Sequence, residues 1–550
     1  MQYRTTNSPS LAMLFLINTY FTLVTDKIKT IVMALSLSLI VSLLIAIAWL
    51  SHVAKSHQAT LRRVFEYMRE NLHRTKQWPD DLFLATFSVP MIFFLMTLSL
   101  LLFMWKMRWD KGARNLRGVY ERSDLIEKSA QNSPRIFSGK FGHHTLYTSL
   151  EDRALVIGPP GTGKTAFLLN QLLQACEEKL SFVIVDFKPE IFGIIGQKLK
   201  DKGYKVLRID PTSIDIDADH WNPLLEVNSE AAVTEICAAL LPIRDVRDVP
   251  FVEAQRDWLQ AVVFHVKEEN GSLPDAYRLM TQFDNPHSLL DLLMKSKSES
   301  GARIARSINS AMSGQKPDPL IGQGLAQAAR SLRFLALPSV VDALGRSDFN
   351  IKDLGKDTRP TAFFIQFKET EAETFAPVLT LLTTRVISSL IETAGTRKPV
   401  AIFLDELGAM PPIPGLATKL NTIRSRHMPV WMYFQAVEQL ERQYGKGASD
   451  LFFTSADLRM CFALNDISTR EMFSKLVGTT EKEKKTKSRN SSTKGGRTTS
   501  RSVTKSRENV IEAHEIGDLK TGEVLCLYKN GTAAIGEATP HYETYREFRR

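Results

Sequence analysis

Cysteine is scarce in this sequence, and its placement argues against two common kinds of scaffold. The four cysteines among 550 residues are Cys176, Cys237, Cys461 and Cys526. They are far apart and lack the spacing of metal ligands, so neither a disulfide framework nor a zinc module is indicated. A reducing compartment, with the cysteines as small core residues, is the simple inference. Acidic residues are outnumbered as well, and the net charge of +10 suits an anionic partner, either nucleic acid or anionic lipid.

Charge is absent from two long apolar runs near the N-terminus, at 31–50 and 83–105. Each is long enough to cross a hydrocarbon core of about 30 Å as a helix. Two buried core helices are the alternative, as is a signal peptide for the first run. The second run and the lack of a small-residue cleavage pattern argue against a signal peptide. The sequence therefore predicts two transmembrane helices after a cytoplasmic tail at 1–30, whose apolar stretch at 11–24 is too short to span.

A phosphate-binding loop is the most informative motif. Residues 158–165 fit G-x-x-x-x-G-K-[ST], between an apolar run typical of a strand and a helical pattern. Glycines let backbone N–H groups close around phosphate oxygens, and the helix N-terminus adds partial positive charge. We expect Lys164 to reach the β/γ phosphates and Thr165 to ligate Mg²⁺. The alternative is a glycine-rich turn that binds nothing. The predicted nucleotide-binding residues are Gly158, Pro159, Pro160, Gly161, Thr162, Gly163, Lys164 and Thr165.

A pair of carboxylates follows another apolar run far downstream. Asp405 and Glu406 come directly after residues 400–404, at the end of a predicted buried strand. In open α/β sheets, ligands bind in the crevice outside the carboxyl ends of the strands. Asp405 is therefore predicted to hold the Mg²⁺ shell and Glu406 to polarise the attacking water. A strand followed by a solvated acidic turn is the alternative, and the pairing with the P-loop favours the functional interpretation.

Basic residues indicate how the predicted spans are oriented. Six Lys or Arg residues follow the second span within 106–122, which places that end in the cytoplasm. The loop at 51–82 carries six basic residues as well, so the stronger argument is that an ATP site needs the compartment that holds ATP. One amphipathic helix is expected in this periplasmic loop. The predicted location is the cell inner membrane, multi-pass, with the ATPase domain in the cytoplasm.

The cytoplasmic body alternates strands and helices. This alternation predicts a parallel sheet with helices on both faces. The nucleotide-binding domain is predicted over 106–225 and 346–478, with C-terminal strands in 509–550 that include a hairpin around Asn530-Gly531. The predicted strands are 154–157, 182–185, 206–209, 362–365, 400–404, 430–434, 524–528 and 532–535, and a long helix is predicted at about 372–391.

Two segments break this alternation. From 226 to 345 only helical patterns occur, which predicts an inserted all-helical domain; ordinary crossover helices are the alternative. Residues 479–508 are dominated by Lys, Arg, Ser, Thr and Gly. This composition cannot bury enough apolar surface to offset ordering entropy, so it predicts a basic disordered loop that contacts nucleic-acid phosphates or is simply solvated. The helices predicted in the first segment are 230–241, 252–267, 273–280, 287–295 and 302–313.

Several further motifs occur in a fixed order along the chain. They are Asp186-Phe187-Lys188-Pro189-Glu190, Trp221-Asn222-Pro223-Leu224, Leu404-Asp405-Glu406, and Gln435 followed by Gln439-Leu440 and Tyr444-Gly445. Together with two N-terminal spans before a P-loop, this set resembles the type IV secretion coupling proteins of the TraG/TraD kind. The P-loop alone is shared by many unrelated NTPases, whereas the ordered set is far more specific.

The resemblance implies a membrane-anchored RecA-like P-loop NTPase of the α/β class, with a mostly parallel sheet and an inserted all-α domain. It implies a ring, in the form of a homo-hexamer, with ATP and Mg²⁺ as cofactors at the interfaces between neighbouring subunits. The implied partners are relaxase-bound single-stranded DNA, the relaxase itself and the components of a type IV secretion channel. The implied activity is ATP hydrolysis that drives conjugative DNA transfer.

The resemblance also suggests roles for residues outside the P-loop. Gln435 ends the strand beside the one that carries Asp405, where its amide is expected to sense the γ-phosphate. Arg424 and Arg426 precede that strand, and the family's placement favours Arg424 as an arginine finger in a neighbouring subunit's site. The alternatives are a plain polar strand end and ordinary surface arginines. Asp186, Lys188 and Glu190 are expected to line the same crevice or to transmit the nucleotide state, and the alternative for them is a local ion pair at a turn.

Three other functions remain open at this level. A coupling protein for effector proteins would carry a similar motor. A chromosome-partitioning DNA translocase of the FtsK/HerA kind would usually have several spans and a winged-helix domain. A membrane scaffold could use a nucleotide site for assembly without driving transport, and stimulation of ATP hydrolysis by DNA would separate it from a pump.

Overall fold

The computed structural model describes residues 129–548, except 133, 143, 244, 492–496, 530 and 531, together with Glu66 and Arg69. Both predicted membrane spans, at 31–50 and 83–105, lie outside the described residues. Glu66 and Arg69 are helical and exposed, and they belong to the segment where an amphipathic helix is predicted. By contacts the chain divides into two units, Met1–Lys111 and Gly112–Arg550. All the other described residues belong to the second unit.

An eleven-stranded sheet forms the centre of the second unit. Its order is β2-β1-β13-β12-β9-β3-β8-β7-β4-β6-β5. The strands from β9 to β5 pair in parallel, and β12, β13, β1 and β2 extend this sheet with antiparallel pairs. The mostly parallel α/β fold is thereby confirmed. The strands of the sheet are β1 Ile136–Phe141, β2 His144–Thr148, β3 Arg153–Ile157, β4 Ser181–Asp186, β5 Lys205–Ile209, β6 Thr361–Gln366, β7 Val400–Leu404, β8 Val430–Phe434, β9 Leu458–Cys461, β12 Glu523–Tyr528 and β13 Thr532–Glu537.

The central strands are apolar without interruption because helices cover both faces of the sheet. Alternate residues of β3 point to opposite faces: Leu155 and Ile157 join one hydrophobic cluster, and Ala154 and Val156 join the other. The four cysteines are free and buried, as the sequence predicts. Strands β1, β2 and β9 were not predicted, because polar residues such as Ser138 interrupt their apolar patterns.

Helices occupy the rest of the second unit. Those on one face, α1 and α2, follow β3 and β4 directly. The segment between β5 and β6 contains helices α3 to α9, and its apolar residues share one hydrophobic cluster with the opposite face of the sheet. The helices are α1 Lys164–Glu177, α2 Ile191–Asp201, α3 Glu230–Leu240, α4 Val249–Glu268, α5 Leu273–Thr281, α6 Pro286–Met294, α7 Glu299–Ser313, α8 Pro319–Ser331, α9 Pro338–Gly345, α10 Ala372–Glu392, α11 Leu416–Ile423, α12 Val437–Tyr444, α13 Ala448–Ser455, α14 Ile467–Val477, α15 Ala513–Gly517 and α16 His541–Thr544.

Local signals explain where these helices begin. Ser272 forms a capping box with Asp275 at the start of α5, and Asn285 and Asp318 accept hydrogen bonds at the starts of α6 and α8. The helices predicted in 226–345 are all found, but α8 and α9 were missed. Each begins with Pro at its first position, which marks a helix start as well as a turn.

Within the described part of the chain, one helix is long and apolar enough to cross a membrane. It comprises residues Glu373–Glu392 of α10, and 78% of its most apolar stretch is buried inside the protein. Its polar residues include Thr380, Thr383 and Arg385, all buried. Helix α10 therefore packs as a core helix of the second unit.

The prediction of a disordered loop at 479–508 is wrong, because the described residues of this basic segment form two strands. Two strands, β10 Thr479–Ser491 and β11 Arg497–Asn509, pair antiparallel in a separate two-stranded sheet. Their register is continuous from Thr479 opposite Asn509 to Ser491 opposite Arg497. The prediction considered only apolar burial. A ribbon can instead satisfy its backbone through ladder hydrogen bonds, and its many threonines favour extended structure.

Candidate nucleotide-binding site

Four neighbouring strands bring the predicted site residues, except Arg424, to one edge of the sheet. Strands β3, β8, β7 and β4 lie side by side and parallel, so their carboxyl ends meet there. The P-loop follows β3, Gln435 follows β8, Asp405 and Glu406 follow β7, and the D-x-K-x-E block begins at the end of β4. The amide of Gly158 donates to the carbonyl of Phe434 at 3.1 Å, which fastens the P-loop beside Gln435.

The P-loop has the backbone shape that its glycines permit. Gly161 and Gly163 have φ of +80° and +99°, a region that residues with a Cβ rarely adopt. The hydroxyl of Thr162 donates to the carbonyl of Pro159 at 2.8 Å and closes the turn. Helix α1 begins immediately afterwards with no side-chain cap and no acidic residue in its first turn. Its first N–H groups and dipole therefore face the cleft, as an anion site requires.

Lys164 is a buried cation that bonds to its own loop. Its ammonium group donates to the carbonyls of Gly158 and Pro159, the second at 3.0 Å. Burial lowers the pKa of Lys164, while the carboxylates of Glu406 and Asp405 act in the opposite direction. These contacts place Lys164 between the loop and the carboxylate pair, where a phosphate group could replace the loop carbonyls as its partner.

The carboxylate pair occupies the far wall of the cleft. Asp405 is 5% exposed, and burial followed by repulsion from Glu406 raises its pKa to about 7. Glu406 is more accessible and has a φ of +52°, which is uncommon for a residue with a side chain. Its carboxylate accepts a hydrogen bond from Nε2 of Gln435 at 2.5 Å. Gln435 thus contacts Glu406, and the residue predicted to act on water has a backbone conformation that residues with a side chain seldom adopt.

The D-x-K-x-E block divides its residues between two roles. Lys188 and Glu190 line the cleft. Asp186 instead accepts from the backbone N–H groups of Ile191 and Phe192 at 3.2 and 3.3 Å, at the start of α2. Burial raises the pKa of Asp186 to about 7. Lys188 and Glu190 therefore belong to the wall of the cleft, whereas Asp186 stabilises the start of α2.

The loop after Glu406 is held by residues of α12 whose roles the sequence did not predict. The amide of Gln443 donates to the carbonyl of Gly408, and the hydroxyl of Tyr444 accepts from the N–H of Ile413 at 3.2 Å. A Cβ at Gly408 would lie 2.1 Å from Oε1 of Gln439. Gly408 therefore allows α12 to approach closely. The Q-x-x-x-Q-L and Y-G motifs contain this signal, but only the fold shows that it fixes the loop.

Arg424 lies at the other edge of the sheet, away from the cleft of its own chain. It begins an exposed 3₁₀ turn, Arg424–Arg426, that precedes the amino end of β8. Two contacts of neighbouring residues locate this turn. The carbonyl of Leu420, four residues before Arg424, accepts from Nη1 of Arg153 at 3.0 Å, and Nδ1 of His427 lies 3.7 Å from Oε1 of Glu151. Both partners stand at the amino end of β3. The structure therefore does not bring Arg424 together with Lys164 and Asp405.

The resulting cleft has a volume of about 340 Å³. It is lined by Pro160, Gly161, Gly163, Lys164, Thr165, Ala166, Lys188, Glu190, Ile191, Asp405 and Glu406. Gly158, Pro159, Thr162 and Gln435 support this lining from behind. No cluster of three His, Cys, Asp or Glu side chains occurs in the parts of the chain that the structure describes. The Thr165 hydroxyl and the Asp405 carboxylate in the cleft lining fit Mg²⁺, which is usually held by one or two protein oxygens together with phosphates and water.

This mostly parallel sheet, with a P-loop at the carboxyl ends of its strands, is typical of the P-loop NTPase class. The chain belongs to the family described as "Type IV secretory system Conjugative DNA transfer", whose profile matches residues 116–546. The resemblance to coupling proteins is thereby confirmed. Two conjugal transfer proteins TraG from Escherichia coli are similar in sequence; one is 24% identical over 62% of this chain and 57% of its own length. The chain thus matches little more than half of these relatives.

Solved structures of a bacterial conjugative coupling protein, TrwB, share the fold. The form lacking its first 70 residues, in complex with sulphate, is 17% identical and covers 77% of this chain and 95% of its own, with a TM-score of 0.61. A TrwB structure in complex with ADP and Mg²⁺ is also 17% identical, covers 77% and 93%, and has a TM-score of 0.58. At this identity the likeness concerns the α/β architecture.

Proposed function

We propose that this protein is an ATP-hydrolysing coupling protein that recruits relaxase-bound single-stranded DNA and drives it through a type IV secretion channel. The main support for the proposal is the cleft. This chain belongs to the conjugative DNA transfer family, and its P-loop and its Asp405-Glu406 pair lie together at one edge of the sheet. Sequence-related TraG proteins are named for conjugal transfer, and TrwB has been solved with ADP and Mg²⁺. Both facts support a similar use of this cleft.

Each predicted site residue has a role in this proposal. The P-loop amides and Lys164 bind the phosphates of ATP, and the Thr165 hydroxyl and Asp405 hold Mg²⁺. When bound there, Mg²⁺ would supply positive charge that offsets the charge developing on the phosphates. Glu406 accepts a proton from the attacking water, and Gln435 orients the Glu406 carboxylate through their 2.5 Å hydrogen bond. Lys164 exchanges its bonds to the loop carbonyls for bonds to phosphate oxygens.

The assembly proposed is a homo-hexameric ring anchored in the inner membrane by the segments at 31–50 and 83–105. Arg424 lies at the edge opposite the cleft, so it serves a neighbouring subunit, where it stabilises transition-state charge. Basic side chains contact DNA phosphates, and the net charge of +10 supports this role. The relaxase delivers the strand, and the channel components receive it.

The test uses the full chain purified in detergent or lipid nanodiscs. ATP hydrolysis is measured with single-stranded DNA, with duplex DNA, and without nucleic acid. We expect stimulation by DNA that weakens as salt is raised, because phosphate contacts release counterions. Hydrolysis that DNA does not change would favour the scaffold function, and stimulation by a secreted protein alone would favour effector export.

A further inference from the structure

A second cluster of charged side chains lies away from the cleft, where three helices meet. Glu235 of α3 is its centre. Nη1 of Arg385, on α10, donates to Oε2 of Glu235 at 2.9 Å, and Nζ of Lys419, on α11, donates to Oε1 at 2.5 Å. The hydroxyl of Ser388, also on α10, donates to Oε1 at 2.8 Å and accepts from Lys419 at 3.0 Å. One carboxylate therefore joins α3 to both α10 and α11.

This cluster is largely excluded from water. The side chains of Glu235 and Lys419 are 20% and 19% exposed, and that of Arg385 only 2%. Burial raises the pKa of Glu235, but Lys419, Ser388 and Arg385 outweigh burial and leave the pKa below its ordinary value. Nη2 of Arg385 is buried without a hydrogen-bond partner. The two cations thus depend on one carboxylate, and the position of Lys419 is tied to Glu235.

Helix α11 links this cluster to both ends of the sheet. The chain enters α11 at Gly415, after the loop that follows Glu406, and leaves it directly into the turn that begins with Arg424. On its other side, the carbonyl of Leu420 accepts from Arg153 of β3. The buried Leu416, Leu420 and Ile423 pack this two-turn helix into the core, and two polar attachments add to that packing in fixing its orientation. One is made to the sheet, and the other is made through Lys419 to the helical segment between β5 and β6.

We propose that Glu235 is a positioning residue that orients α11, and thereby Arg424, so that the helical segment controls how well Arg424 reaches a neighbouring subunit's cleft. This inference rests on the proposed function, because it requires Arg424 to act on ATP in the ring. Glu235 is not among the residues that line the cleft. Its effect is expected in the rate of hydrolysis at saturating ATP, with ATP affinity unchanged, because the P-loop and Asp405 are not attached to this cluster.

The test compares four variants of the full chain: Lys419→Met, Lys419→Arg, Arg424→Ala and the double variant Lys419→Met/Arg424→Ala. Lys419→Met cuts the attachment of α11 but leaves Glu235 paired with Arg385, which guards against a failure to fold. We expect kcat to fall about tenfold in Lys419→Met with KM for ATP within about twofold, and Lys419→Arg to restore most of it. Glu235→Gln is expected to resemble Lys419→Met.

The double variant decides between positioning and a merely structural role. If Glu235 and Lys419 act through Arg424, Lys419→Met causes no further loss once Arg424 is alanine. The matched control is Glu230→Gln, which removes an exposed ion pair with Arg303 from the same helix α3 and is expected to leave kcat unchanged.

Independent losses that multiply in the double variant would overturn the inference, as would a lower melting temperature with normal kcat. An Arg424→Ala variant with normal kcat would overturn it too, but would leave the ATPase assignment intact. That assignment fails only if Lys164→Ala still hydrolyses ATP.

Discussion

The cleft and the Glu235 cluster are both groups of buried charges, but they are satisfied in different ways. In the cluster, the carboxylate of Glu235 accepts from Arg385, Ser388 and Lys419, all supplied by the chain. In the cleft, Asp405 has Glu406 as its neighbour, and the cation Lys164 is bonded to loop carbonyls instead. The pKa of Glu235 is accordingly lowered, whereas that of Asp405 is raised to about 7.

The contrast separates a structural use of buried charge from a ligand-binding one. A cluster whose cations come from its own chain gains its stabilisation on folding. Lys164 attracts the carboxylate of Asp405, but burial and repulsion from Glu406 outweigh this attraction, so a cation from solution would add stabilisation. Asp405 thus resembles a group kept ready for a metal ion, and Glu235 resembles a fixed joint between helices.

Lys164→Ala is expected to reduce ATP hydrolysis by about 1000-fold, because it removes the only P-loop cation that can follow charge onto the transferred phosphate. Steady-state release of phosphate from the full chain measures this effect. The fold should persist, since the lost hydrogen bonds are confined to two carbonyls of the P-loop itself. Lys202→Ala, an exposed lysine just beyond α2, is the matched control. Appreciable hydrolysis by purified Lys164→Ala would refute the assigned cleft.

Glu406→Gln is expected to slow hydrolysis by about 100-fold while nucleotide affinity stays within about threefold. The amide keeps the size of the side chain and still accepts from Gln435, but it cannot take a proton from water. Single-turnover hydrolysis and binding of a fluorescent ATP analogue measure the two quantities separately. A variant that no longer binds nucleotide would mean that Glu406 has a structural role at its strained position.

The sequence predicts those parts of this protein that depend on local pattern. The buried strand before Asp405 and the loop that contains Lys164 follow from apolar runs and glycine spacing, and both lie where ligands bind in such sheets. The cluster around Glu235 could not be predicted. Arg385 is 150 residues from Glu235 along the chain and Lys419 is 184, so only the packing of α3, α10 and α11 brings them together.

The position of Arg424 illustrates the same limit. The sequence places it before a strand, but which edge of the sheet it occupies follows from the parallel register of β3 and β8.

The ribbon at 479–491 and 497–509 was mispredicted for a related reason. The composition of a segment predicts how much apolar surface it can bury, but it does not predict whether two polar strands pair through their backbones.

Opposite changes in stability are expected when the two buried carboxylates are neutralised at pH 8. Glu235→Gln should lower the free energy of unfolding by about 2 kcal/mol, since Arg385 then remains buried with less compensation. Asp405→Asn should leave it unchanged or raise it by about 1 kcal/mol, since it removes a charge for which burial and Glu406 outweigh the attraction of Lys164. Denaturant unfolding followed through the buried Trp221, Trp258 and Trp431 measures both. Destabilisation by Asp405→Asn equal to that by Glu235→Gln would erase the contrast.

A pH dependence with opposite signs is expected in the two regions. Asp405 has a raised folded-state pKa of about 7, so between about pH 4 and 7 the folded chain keeps a proton that the unfolded chain has lost. Its contribution to stability is complete below about pH 4 and declines as the pH rises towards 7, by at most about 1.4 kcal/mol per pH unit. Asp186 adds a decline over the same window, because its pKa is also about 7. Glu235 behaves oppositely, because its lowered pKa gives stability that is present at neutral pH and lost on acidification.

Unfolding free energies at pH 5, 6, 7 and 8, with and without Mg²⁺, test this pair of signs. Asp405→Asn should flatten the decline between pH 5 and 7, with the remaining slope due to Asp186, and Mg²⁺ should oppose the decline only in the chain that retains Asp405. The metal binds the ionised carboxylate, so it must displace the proton below pH 7 and binds more tightly as the pH rises. A stabilisation by Mg²⁺ that is equal at pH 5 and pH 8, or that survives Asp405→Asn unchanged, would show that the metal is held by other groups and that Asp405 owes its shifted pKa to burial alone.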